Sequence, residues 1–120
     1  MRVFYVDNDS STHDMMPACL GMKFNVTVVP TAEQALTIMD HRDRFDAVIA
    51  ANNKGVGLKF LTEVSKKHPK TVRVLISGGN ITEEIKQAIS NGDITRFIKN
   101  PPCFPQLVKD LEHDISHINH

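Results

Sequence analysis

The sequence predicts an α/β fold: a five-stranded parallel sheet, doubly wound, with helices on both faces. Three observations carry this expectation. Residues 3–6, 26–29, 47–50, 72–76 and 94–98 are short apolar runs rich in Val and Ile. They are too short for helices, and such near-continuous apolar runs suit strands covered on both faces. Amphipathic segments with helical spacing separate them, and a fivefold strand-helix alternation favours parallel pairing through right-handed crossovers.

The helical segments differ in how clearly they declare themselves. Pro17 falls inside the first, where it removes a backbone donor and crowds the preceding turn, so a short or kinked helix is expected between Ser11 and Leu20. Thr31 is a candidate N-cap, with Gln34 in the capping-box position ahead of Ala35, Leu36 and Met39. Leu58, Leu61 and Val64 recur at intervals of three after Gly57. Thr82 can cap a fourth helix whose acidic first turn, Glu83-Glu84, complements the helix dipole and whose buried side is Ile85, Ala88 and Ile89. In the fifth, Leu107, Val108, Leu111, Ile115 and Ile118 form one stripe, with Lys109, Asp110, Glu112 and Asp114 elsewhere.

The 120 residues fit one domain, 1–120, with a single core. Lys and Arg together number 14, as do Asp and Glu, so no net field favours nucleic acid or an anionic membrane. The Lys66-Lys67 pair reads as a solvated helix end. No apolar run approaches the roughly 20 residues that span a bilayer, and the N-terminus lacks the pattern of a signal peptide. Cys19 and Cys103 form no CxxC pair, so reduced thiols in a cytoplasmic protein are expected.

In a doubly wound sheet the binding crevice lies beyond the carboxyl ends of the strands. The residues there are Asp7-Asn8-Asp9, Ala51-Asn52-Asn53, Ser77-Gly78-Gly79 and Lys99-Asn100-Pro101. Gly55-Val56-Gly57 lacks the third glycine of a dinucleotide fingerprint and follows the wrong strand, so tight-turn glycines before a helix are the better account. The Ser77-Gly78-Gly79-Asn80 loop precedes a capped helix and has the composition to hold an anion through backbone N–H groups, although a mobile loop is preferred. His113, His117 and His120 have a spacing that suits a metal, yet no Cys, Asp or Glu cluster completes a site, and a polar helix end is preferred. His13 and Asp14 lie near the crevice without a nucleophile at a strand-to-helix elbow, and Met15, Met16 and Met39 read as core filler.

These junctions, in this order, resemble the receiver domain of response regulators, the CheY-like superfamily, along nearly the whole chain. The segment 5–9 is similar to the acidic end of that family's first strand, and 31–36 to the start of its second helix. The segment 45–51 is similar to its third strand, 74–78 to its fourth strand with the hydroxyl switch residue, and 92–101 to its fifth strand with the lysine-proline step. The resemblance implies a flavodoxin-like sheet of strand order 2-1-3-4-5. It also implies a pocket made of Asp7, Asn8, Ala51, Ser77 and Asn100, with Phe97 at the switch-aromatic position, and a cis peptide before Pro101.

The departures from the family are chemical. Asp46 precedes Ala51 by five residues, the family's spacing to its phosphoacceptor aspartate, so the acceptor position holds a methyl group that cannot attack phosphorus. Asn8 replaces a metal-contacting acid, which leaves a poor Mg²⁺ site, and Asn100 replaces the lysine. Adjacent Lys99 is one residue out of step and points to the opposite face of the strand. The loop after Ala51 is about two residues shorter than the family's and lacks its proline.

The resulting expectation is a degenerate, non-phosphorylatable receiver in two-component or phosphorelay signalling. It is no enzyme, carries no cofactor or metal, and works through a protein partner or a second copy. The docking face implied by the resemblance joins the fourth helix, fifth strand and fifth helix, through Lys86, Gln87, Ser90, Thr95, Lys109 and Glu112. The alternatives are a small-ligand-binding regulator, or an enzyme of the same topology, using the emptied crevice or the loop from Ser77 to Gly79.

Overall fold

A computed structural model describes residues 2–7, 20–21, 23–41, 45–51, 55–99 and 103–118. The expected first helix, apart from Leu20, lies outside the described residues. So do Asn8, Asp9, His13, Asp14, Met15, Met16, Cys19, the loop 52–54, Asn100, the Asn100–Pro101 peptide and His120.

Five strands form one parallel sheet: β1 (Arg2–Val6), β2 (Asn25–Val29), β3 (Ala47–Ala51), β4 (Val72–Ser77) and β5 (Arg96–Lys99). Their order is β2-β1-β3-β4-β5, the doubly wound arrangement expected from the alternation. The described helices are α1 (Ala32–His41), α2 (Val56–Lys67), α3 (Glu83–Asn91) and α4 (Phe104–Ile118).

Alternate residues along each strand feed separate cores. Phe4, Val6, Val48, Ala50 and Leu75 pack with Ala35 and Met39 of α1, Leu61 and Val64 of α2, and Ile85 and Ala88 of α3. Val3, Tyr5, Ala47, Ile49, Val74 and Ile76 pack with Leu107, Leu111 and Ile115 of α4. The period of two along a strand and the apolar stripe on each helix thus meet on both faces of the sheet.

The helix ends follow local chemistry. Thr31 Oγ1 accepts the Gln34 N–H at 3.2 Å, and Thr82 Oγ1 accepts the Ile85 N–H at 3.2 Å. Gly92 closes α3 at φ 82°, a left-handed conformation that costs any residue with a Cβ. Gly55 precedes α2 at φ 81°, whereas Gly57 lies inside the first turn of α2 and is buried. Only the first of the two glycines in that motif therefore serves the turn. The fifth strand also begins later than its apolar run: Ile94 is in the core, but its N–H donates to the Ala88 carbonyl and not to a neighbouring strand.

The amino ends of the strands are tied together by polar groups. Asp46 Oδ2 accepts the Arg2 N–H at 2.9 Å, and the Asp46 carbonyl accepts the Val72 N–H. Arg73 is buried, and its guanidinium donates to the carbonyls of Pro69, Thr71, Gly92 and Asp93 at 2.7–3.1 Å. Burial pushes its pKa below the ordinary arginine value, and the nearby Asp93 charge opposes that shift. Among the described residues, no buried side-chain nitrogen or oxygen lacks a partner.

Candidate functional site

The carboxyl ends of β1, β3 and β4 bring Asp7, Ala51 and Ser77 to one end of the sheet. The Val6–Ala50 pair sets the register of β1 against β3, so Asp7, the next residue, stands beside Ala51. Adjacent strands lie about 4.8 Å apart. The Asp7 N–H donates to the Val29 carbonyl at 3.2 Å, which extends the β1–β2 ladder by one step and fixes the backbone.

Asp7 is 6% exposed, and a carboxylate so buried needs donors. Tyr5 supplies one, its phenol donating to Asp7 Oδ2 at 2.8 Å. The residues are two apart on a strand and so share a face, the one that packs against α4. Sequence reasoning singled out Asp7 but missed Tyr5, although the i, i+2 spacing of a phenol and a carboxylate on a strand was a usable signal.

Ala51 ends the central strand and is half-buried. It shares the side of Ile49 and therefore of Asp7. Its partner on β4 is Ile76, which puts Ser77 one residue further along. Ser77 belongs to the other face by alternation, and its Oγ accepts the Gly79 N–H at 3.2 Å. That bond closes a local turn and occupies one of the N–H groups an anion would need. Neither Gly78 nor Gly79 has a positive φ.

Phe97 pairs with Leu75 across the β4–β5 ladder and packs, half-buried, against the core under α1–α3. Lys99 pairs with Ser77, and its Nζ donates to Asn80 Oδ1 at 3.2 Å. By alternation it lies on the Phe97 side, away from Asp7 and Ala51. Of the expected pocket, the structure thus brings Asp7 and Ala51 together, with Ser77 alongside on the other side of the sheet. Asn8 and Asn100 lie outside the described residues.

The edge formed by α3, β5 and α4 is dominated by one charged cluster. Arg96 holds Asp114 through two bonds, from Nε at 2.8 Å and Nη2 at 3.0 Å, and its Nη1 lies 3.7 Å from Asp110. The Asp114 bond, joined by both carboxylate charges and opposed by burial, raises the Arg96 pKa above its ordinary value. Lys86, Gln87, Ser90 and Lys109 are exposed. Two residues assigned to this face behave otherwise. Glu112 pairs with Lys23 at 3.6 Å, toward the β2 edge, and Thr95 turns its Oγ1 to the Arg73 N–H at 3.0 Å.

Strand order, layers and the junctions at the strand ends define the class: an α/β domain with the flavodoxin-like fold of CheY-type receivers. No family model matches the chain. In sequence it is similar to the hydrogenase transcriptional regulatory protein HoxA of Cupriavidus necator, 27% identical over 100 residues. That match covers 82% of this chain and 21% of HoxA, so the chain spans about a fifth of that relative's length. In structure it is similar to the signal receiver domain of an HD domain-containing protein from Pseudomonas fluorescens Pf-5. The TM-score is 0.87 at 24% identity, covering 98% of this chain and 88% of the other. It is also similar to an atypical orphan response regulator described as having a phosphorylation-independent regulatory mechanism. There the TM-score is 0.81 at 23% identity, over 97% and 96% of the two chains. Among the described residues, no helix is long and apolar enough to cross a membrane.

Proposed function

We propose that residues 1–120 form a receiver domain of a two-component or phosphorelay system that accepts no phosphoryl group and signals by binding a protein partner. The observation that carries this is Ala51 at the end of β3, beside the buried Asp7. Phosphoryl transfer to a receiver needs a carboxylate nucleophile there, and a methyl group has no lone pair to offer. Asn8 and Asn100, in place of an acid and a lysine, weaken the pocket further as a site for Mg²⁺ and phosphate. The phosphorylation-independent mechanism described for one structural neighbour fits the same reading.

In this reading the domain is cytoplasmic and has no catalysis of its own. Its partner, a different protein or a second copy, docks on the face of α3, β5 and α4. The Arg96–Asp110–Asp114 cluster and the exposed Lys86 give that face charges of both signs, which favour orientation and selectivity over raw affinity. A ligand or enzyme site at Ser77–Gly79 has less support, because Ser77 already takes the Gly79 N–H.

The test is incubation with acetyl phosphate and Mg²⁺ followed by intact-mass measurement. No hydroxylamine-labile phosphoryl adduct is expected; a stoichiometric one would overturn the proposal.

A further inference from the structure

We infer that His113 and His117 on α4 form a chelating pair for a divalent transition-metal ion. The inference does not depend on the signalling reading above. The sequence alone favours a polar helix end here, because no Cys, Asp or Glu cluster completes a site, and spacing says nothing about ring placement. The structure supplies that placement.

The residues are one helical turn apart, and their rings stand 4.0 Å apart between centroids with 35° between planes. Both are exposed on the solvent side of α4, so an ion can reach them without any opening of the core. Two ligand nitrogens at 2.0–2.1 Å from a tetrahedral zinc lie about 3.4 Å from each other. Rings already at this spacing need only small rotations about their side-chain bonds to meet that requirement. Histidines at i and i+4 on one helix face are a known zinc-holding arrangement for this reason.

The hydrogen bonding suits a ligand as well. His117 Nδ1 lies 3.0 Å from the His113 carbonyl oxygen. A carbonyl can only accept, so the tautomer with hydrogen on Nδ1 donates to it and leaves the Nε2 lone pair for a metal. Metal-bound histidines are commonly held in this manner, with the second ring nitrogen donating to a carbonyl or carboxylate. His117 is thus oriented as a ligand by the backbone of the residue that supplies the other ring. Water fills the remaining positions, since no group of three or more candidate ligands occurs among the described residues.

Helical spacing sets the pair next to Asp110 and Asp114, three residues before His113 and His117 respectively. A bound cation therefore adds positive charge beside the carboxylates that hold Arg96. It also clips two turns of α4 together, so binding stabilises the folded chain.

The experiment is calorimetric titration of Zn²⁺ into the whole chain at pH 7.5, repeated on His113→Ala, His117→Ala and the double variant. Both positions are exposed, and circular dichroism verifies that each variant folds. A saturable one-to-one isotherm is expected, weakened by about tenfold or more in each single variant. Zn²⁺ should raise the melting temperature of the parent chain and not of the double variant. In histidine ¹⁵N spectra Zn²⁺ should move both Nε2 signals while His117 Nδ1 stays protonated. Absence of saturable binding up to about 1 mM, an affinity free energy of roughly −4 kcal/mol, would overturn the inference. Equal binding by parent and double variant, which would send the ion to another histidine, would overturn it too.

Discussion

Tyr5 and Asp7 are joined through a 2.8 Å hydrogen bond from the phenol to the carboxylate, inside the end of the sheet where the crevice begins. The bond neutralises part of the cost of burying a carboxylate, and it aims Asp7 along the face that Ala51 also occupies. Tyr5→Phe keeps the ring in its core and removes only the donor. We expect a loss of about 1.5–3 kcal/mol, the range for hydrogen bonds to charged groups. Urea unfolding measures it. A change below about 0.5 kcal/mol would mean that the other partners of Asp7 satisfy it without Tyr5.

Mg²⁺ should bind the crevice only in the millimolar range or worse. The ion prefers several oxygen ligands in octahedral geometry, and a carboxylate with one oxygen engaged by Tyr5, flanked by Ala51, is a weak start. Titration followed by NMR shifts of Asp7 and Ala51 checks this, and saturation at micromolar Mg²⁺ would contradict it.

Arg73 holds four carbonyls at the end of α3 and the start of β4. Lysine cannot reproduce that planar fork. Arg73→Lys should cost about 2–3 kcal/mol, since several buried acceptors lose their donor together. The folded state disfavours the charged form through desolvation, which the nearby Asp93 charge partly offsets while the carbonyls satisfy the N–H groups. Salt screens only the Asp93 contribution, so most of the stability difference between the parent and Arg73→Lys should persist in a denaturation series in sodium chloride.

Charge reversal at Lys86 and Lys109 probes the proposed docking face. The double variant Lys86→Glu with Lys109→Glu should abolish or weaken partner capture or self-association while circular dichroism stays unchanged. Unaltered association would move the interface to another side of the sheet. Control reversal of Glu112, which faces Lys23, should leave association intact.

Much of this molecule is determined locally and was legible in the chain. Short Val- and Ile-rich runs fix five strands, because residues covered on both faces have no polar alternation to show. Thr31 and Thr82 fix the starts of α1 and α3 through hydroxyls that accept a backbone N–H within the same turn. The stripe from Leu107 to Ile118 fixes α4. Asp7, Ala51 and Ser77 were visible as strand-end residues, because parallel sheets put their crevice there. Tertiary structure decided what depends on contacts between distant segments. It alone turns Arg73 onto carbonyls near residue 92, sends Glu112 to Lys23, and joins Arg96 to Asp114. Periodicity records which face a residue takes; only packing across the chain records which partner it meets there.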